Sequence, residues 1–169
     1  PVISQRGEVA SIFGAVEYPP NGPTYSSGML LDLNGAMRAP TLANGQVPSM
    51  ASGILFAAGV GSVSLDEGGR FLLPAGIYGP GVGFNTDEIC FLSTGAVTGA
   101  VVLRTGDGVA GSPGSVVHAL NNVGADRLCD LGEGGAAVFS GQVLDMGGSG
   151  PTQALWYTPA AGVTAPEII

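Results

Sequence analysis

Glycine and proline recur so often in this chain that a long helix has nowhere to form. Thirty glycines and twelve prolines are spread over 169 residues, and the longest run free of both is 84–94. An interior glycine costs a helix about 1 kcal/mol against alanine, and an interior proline about 3 kcal/mol. The segments between these residues are short, apolar and bounded by turn signals, which is the pattern of strands. Strands are expected over Glu8–Val16, Ser27–Leu33, Gly53–Ala58, Gly61–Leu65, Arg70–Leu73, Glu88–Ser93, Ala100–Arg104, Ser115–Leu120, Ala136–Phe139, Gln142–Asp145 and Ala154–Thr158. Asp66-Glu67-Gly68-Gly69 reads as a hairpin turn, because Gly-Gly adopts positive φ without steric cost. Thr105-Gly106-Asp107-Gly108 and Ser112-Pro113-Gly114 bracket a loop, and Ser140-Gly141 reads as a tight turn. No repeat of 20–50 residues recurs, against a solenoid or propeller. The expected fold is all-β: an antiparallel sandwich or jelly-roll-like barrel.

The length suits one domain with or without an arm, and about 70% of the unfolded surface of such a chain is buried on folding. Neither metal nor disulfide is needed for a core of that size. Cys90 and Cys129 are too few for a disulfide framework. They read as free buried thiols, with a bridge between them as the alternative. The opening Pro1-Val2-Ile3-Ser4-Gln5-Arg6 lacks the basic-then-apolar order of a signal peptide, so synthesis in a cytoplasm is expected.

Charge narrows the partners. The chain has no lysine, and its five arginines (Arg6, Arg38, Arg70, Arg104 and Arg127) face thirteen carboxylates. Net charge is −8, and only 11% of residues are charged, against about 25% in typical domains. Such a chain repels phosphate, so neither nucleic acid nor an anionic membrane is an expected partner. No charge falls between Arg38 and Asp66, but its most apolar part, Met50 to Gly61, is too short for the roughly 20 residues a membrane helix needs. It reads as a buried strand or strand pair.

Residues 1–26 differ from the rest. Val2, Ile3, Val9, Ile12, Phe13 and Val16 are followed by Tyr18-Pro19-Pro20-Asn21-Gly22-Pro23. That proline cluster suits neither a helix nor a central strand. The division expected is an extended N-terminal arm with a proline-rich linker over 1–26, then a β domain over 27–169. In that reading the six apolar residues bind a partner by adding a strand to a sheet edge. The alternative is that Glu8–Val16 is the first strand of the domain itself.

Residues that could carry chemistry are few. His118 is the only histidine; in a strand, alternation puts it on one face with Val116 and Leu120. A lone histidine and two separated cysteines do not make a zinc site. Cys129 follows His118 by eleven residues without a third group to orient the pair. Without lysine, phosphate-loop and Schiff-base chemistry are excluded. Asp126, Asp130 and Glu133 lie close together, without the EF-hand pattern, and read as a solvated turn. Trp156, Tyr18, Tyr25, Tyr78 and Tyr157 are the aromatics able to stack on a sugar. No enzyme activity, cofactor or metal is expected.

Three features together give a resemblance: the start Pro1-Val2-Ile3-Ser4-Gln5-Arg6-Gly7-Glu8, glycine-rich loops such as Gly106-Asp107-Gly108 and Gly132-Glu133-Gly134-Gly135, and the lysine-free composition. As a type, the chain resembles the capsid decoration (cement) proteins of tailed bacteriophages. That resemblance implies a structural virion protein on the outer capsid surface, often a homotrimer at a symmetry axis. Its partner would be the major capsid protein, whose subunits it bridges and reinforces. The alternative is a trimeric β-jelly-roll carbohydrate-binding or fibre-tip module in which Trp156 and Tyr157 line a sugar site.

Overall fold

The computed structural model describes residues 2–3, 9–17, 24–33, 36–42, 44–60, 63–93, 98–120, 129–148, 150–159 and 167–168. Among them the only helical element is one 3-10 turn, Glu133–Gly135; the rest of the regular structure is strand. Three antiparallel sheets follow one another along the chain. Sheet A holds β1 (Val2–Ile3), β2 (Val9–Glu17), β3 (Thr24–Leu33) and β4 (Ala36–Leu42), in that order. Sheet B holds β5 (Leu55–Val60), β6 (Ser64–Leu65), β7 (Phe71–Tyr78), β8 (Glu88–Ser93) and β9 (Gly99–Arg104). There β5 and β6 both pair with β7, and β8 and β9 follow. Sheet C holds β10 (Ser115–Ala119), β11 (Cys129–Leu131), β12 (Ala137–Asp145), β13 (Pro151–Thr158) and β14 (Glu167–Ile168). In it β10 and β11 pair with different parts of β12, whose other edge takes β13 and then β14.

Sheet B is buried on both faces. Alternation sends Phe71, Leu73, Ala75, Ile77, Ile89 and Phe91 to one face and Leu72, Cys90 and Leu92 to the other. The first face packs with Val47, Ile54, Phe56 and Leu65, and Ala10 of β2 joins this core fully buried. The second face meets Val117, Leu131, Phe139, Val143 and Trp156 of sheet C. Both faces of β7 and β8 are thus dry, which explains their near-continuous apolar sequences. Burying each such side chain contributes roughly 1.5–3 kcal/mol. The result is the expected all-β antiparallel sandwich, and among the described residues no sheet closes into a barrel.

Several local expectations change. Arg70–Leu73 is expected to stop before Pro74, yet β7 runs on to Tyr78. Pro74 lies where the neighbouring edge passes from β5, whose Val60 pairs with Ala75, to β6, whose Ser64 pairs with Leu72. Among the described residues none pairs with Pro74 on that edge, so its missing N–H breaks no ladder bond described there. Ser140-Gly141 is not a turn: β12 continues through it, with Gly141 opposite Ala154. A methyl group at Gly141 would come within 2.5 Å of the Ala119 carbonyl oxygen and 2.8 Å of Trp156 Cζ3. Glycine there makes room for the indole instead of reversing the chain. The hairpin at 66–69 is as expected. The buried Asp66 carboxylate accepts from Gly68 N at 2.8 Å and Arg70 N at 2.9 Å, and pairs with the Arg70 guanidinium at 2.6 Å.

The N-terminal segment is part of a sheet. β2 pairs with β3 along its whole length, from Val9 opposite Asp32 to Glu17 opposite Thr24. The 26/27 boundary falls inside β3, and the proline cluster at 18–23 lies outside the described residues.

Candidate functional site

Strand directions gather four loops at one end of the molecule. β7 ends there and β8 begins, so loop 79–87 belongs to it; β9 ends and β10 begins, which adds 105–114; β12 ends and β13 begins, which adds 146–150. Loop 44–54 folds back on the start of β5 at the same end, with Asn44 N donating to Phe56 O at 2.8 Å and Val47 N to Ile54 O at 2.9 Å.

These loops are braced against one another. Loop 79–87 is two consecutive hydrogen-bonded turns: Val82 N donates to Gly79 O at 3.1 Å, and Thr86 N to Gly83 O at 2.8 Å. Gly81, at φ 74°, supplies the left-handed position after Pro80 in the first turn. The Thr86 hydroxyl accepts from Gly83 N at 2.9 Å, closing the second turn a second time. Arg104 Nε then donates to Thr86 O at 2.8 Å, tying the turn to β9. Gly106 lies so close that a methyl group on it would be 2.9 Å from Thr86 Cγ2. On the other side Gly79 packs against the backbone of Gly53 and Ile54. Loop 44–54 is held from within: Gln46 Oε1 accepts from Gly53 N at 2.9 Å, and its Nε2 donates to Ala51 O at 3.1 Å. Asn44 and Ser49, both at φ 66°, are the non-glycine residues at positive φ among those described, and both sit in this loop. Met146 N donates to Gly114 O at 3.1 Å, joining the last loop to its neighbour.

On this braced frame sit the exposed large apolar side chains. Phe84 is 92% exposed, Met146 73% and Tyr78 41%, and these are the large apolar residues exposed among those whose side chains are described. Tyr78 donates its hydroxyl to Asn44 Oδ1 at 2.6 Å. Phe84 occupies the first central position of the Gly83–Thr86 turn, while Val82, two residues earlier, packs against the core. The charged groups at this end are mostly acidic: Asp107 and Asp145 are exposed and Asp87 is half-buried. Asp107 Oδ2 accepts from Arg104 N at 2.8 Å, and Asp145 Oδ1 from Gly147 N at 3.0 Å.

The residues singled out in the sequence lie elsewhere. Val2 pairs with Ala10 and Ile3 with Val9, joining β1 to β2. Ile12 stands opposite Met29, Phe13 opposite Gly28 and Val16 opposite Tyr25, all within sheet A. Val9 is half-buried. Trp156, 1% exposed, is stacked on Phe139 with ring centroids 6.0 Å apart, so its indole is core and cannot line a sugar site. His118 is exposed at a bulge, where β10 advances from Val117 to Ala119 while β12 advances one residue. The bulge puts Leu120 in the core with Val117, against the alternation expected for it with His118. Asp130 accepts from Ser64 Oγ at 3.2 Å, a tie between β11 and β6; Asp126 and Arg127 lie outside the described residues.

Cys90 and Cys129 are free thiols that pack in the same core from sheets B and C. Burial, with Cys129 adding to it, raises Cys90 well above the usual thiol range. Burial, with Asp130 adding to it, pushes Cys129 up to about 12. Both are therefore protonated and poorly nucleophilic at neutral pH.

No family model, curated protein or solved structure matches this chain. Among the described residues, no three His, Cys, Asp or Glu gather as a metal-holding group, and no helix is long and apolar enough to cross a membrane. The loop end is the arrangement with the features of a binding site. Sequence reasoning passed over Phe84, although one signal was there: a bulky hydrophobe inside Gly79-Pro80-Gly81-Val82-Gly83-Phe84-Asn85, where a turn leaves nothing to bury it.

Proposed function

We propose that this chain is a non-enzymatic structural protein of the virion that binds the outside of a capsid shell, as a homotrimer, and reinforces it by bridging coat subunits. The observation that carries the reading is the loop end, where Phe84, Met146 and Tyr78 are presented to solvent on turns locked by hydrogen bonds. Exposed apolar side chains on a rigid frame suit protein contact, because little ordering cost remains to be met on binding. The low charge suits it too, since few ions must be desolvated. A sheet with both faces covered gives a stiff body, as a brace between neighbouring subunits requires.

The test uses capsid shells from the same source, prepared without this protein. Adding it back should raise the temperature at which the shells come apart, followed by light scattering. Shells that come apart at the same temperature with saturating protein present would sink the reading.

A further inference from the structure

We propose that Phe84 is the docking anchor of this chain: it enters an apolar pocket on a partner protein, and basic groups on the rim of that pocket face Asp87, Asp107 and Asp145. The inference deepens the reading above and rests on it. It starts from a mismatch between order and burial. The 79–87 turn is fixed by two backbone hydrogen bonds, by the Thr86 hydroxyl, by the Arg104 side chain and by close backbone packing on Gly53 and Gly106. Yet the largest side chain on it is almost wholly exposed, while Val82 already ties the loop to the core. Folding gains little from a phenylalanine at that position. A rigid aromatic at a turn tip does suit an interface, where aromatic side chains filling pockets carry most of the binding energy.

Charge selects the occupant. The loop end that carries the anchor also carries Asp107 and Asp145, both exposed, and Asp87, half-buried. The cation at this end, Arg104, is turned inward to the Thr86 carbonyl, and its Nη2 is buried. With no lysine in the chain to offset them, these carboxylates favour a basic rim on the partner. A second copy of this chain would bring the same carboxylates to meet them, and an anionic lipid surface would repel them.

The experiment measures co-sedimentation with the protein-free shells for the wild-type chain, Phe84→Ala and the double variant Asp107→Asn/Asp145→Asn. Asparagine keeps the acceptor oxygens that hold these loops together. Phe84→Ala should keep the wild-type melting temperature and bind roughly 10- to 100-fold more weakly, the value of one buried aromatic side chain. The double variant should bind more weakly at 50 mM salt than wild type, and its binding should change less between 50 and 500 mM. If wild type and Phe84→Ala pellet with equal affinity, the anchor is wrong and shell binding stands. If wild type does not pellet at all, both fall. Two controls without shells complete the test. An oligomer of this chain that dissociates on Phe84→Ala in sedimentation velocity would make the occupant a second copy and overturn the proposal. Phe84-dependent flotation with phosphatidylcholine vesicles would make it a lipid surface and overturn it equally.

Discussion

The core between sheets B and C and the turn at 79–87 are both narrowly specified, but by different forces. In the core, side chains dictate the backbone. Trp156 stacks on Phe139, and Gly141 must lack a side chain because the indole lies over it. In the turn, backbone and small polar groups do the fixing, and the large side chain touches almost nothing. Shape in the first region is a by-product of excluding water. In the second, shape is kept without that gain. Order maintained without burial is what marks the second as the place to look for function.

Substitutions can break this contrast. Trp156→Ala should have the largest effect, a loss of about 3–5 kcal/mol, since it empties the centre of a packed core. Urea unfolding measures it, and a loss under about 1 kcal/mol would mean that the indole is not core. Gly141→Ala should cost about 1–3 kcal/mol by overpacking, even though alanine suits strands no worse than glycine. A neutral result would show that sheet C can shift to admit a methyl group.

The thiols sharpen the comparison from the side of pH. The folded state holds the proton of Cys129 up to about 12, whereas an unfolded thiol releases it near 9.0. Between those values the unfolded state binds fewer protons than the folded one, so stability is complete below pH 9 and falls as pH rises towards 12. At pH 10 this thiol should account for a loss of about 1–2 kcal/mol. Comparing unfolding at pH 8 and pH 10 for wild type and Cys129→Ala isolates it, because other titrating groups are common to both. Equal losses in the two proteins would show that Cys129 is not shielded. Phe84→Ala should have the smallest effect on stability, within about 0.5 kcal/mol, as for an exposed position outside special features. A larger loss would return Phe84 to a structural role and erase the contrast.

The fold was legible where turn residues and apolar runs agree. Glu88–Ser93 is a strand with the expected bounds, and the Asp66–Gly69 hairpin falls where Gly-Gly predicts it. Reading failed where one residue type has two uses. Pro74 and Gly141 look like breaks, but each sits inside a strand: one where the neighbouring edge changes from β5 to β6, the other beneath a tryptophan. Neither that change of edge nor the indole is local in sequence. β4 was missed because Ala36–Leu42 carries Arg38 and Pro40, and β11 because it is three residues long. The bulge at His118 was invisible for a similar reason, since it is defined by the partner strand. The candidate site was the least legible part. Exposure of Phe84 depends on how four separate loops are assembled, whereas attention in the sequence goes to the apolar residues of 2–16, which are strand residues of sheet A.

The burial of sheet B on both faces also bears on how the chain can be divided. A cut between sheets B and C leaves β7 and β8 with one bare apolar face, whichever fragment keeps them. Ala10 lies in one core and Trp156 in the other, so the first and last thirds of the sequence each help to cover the same two strands. Sheets B and C therefore do not divide into two autonomous units. Either sheet alone would be sticky rather than merely less stable, and a protease must open the two together, not shave one from the other.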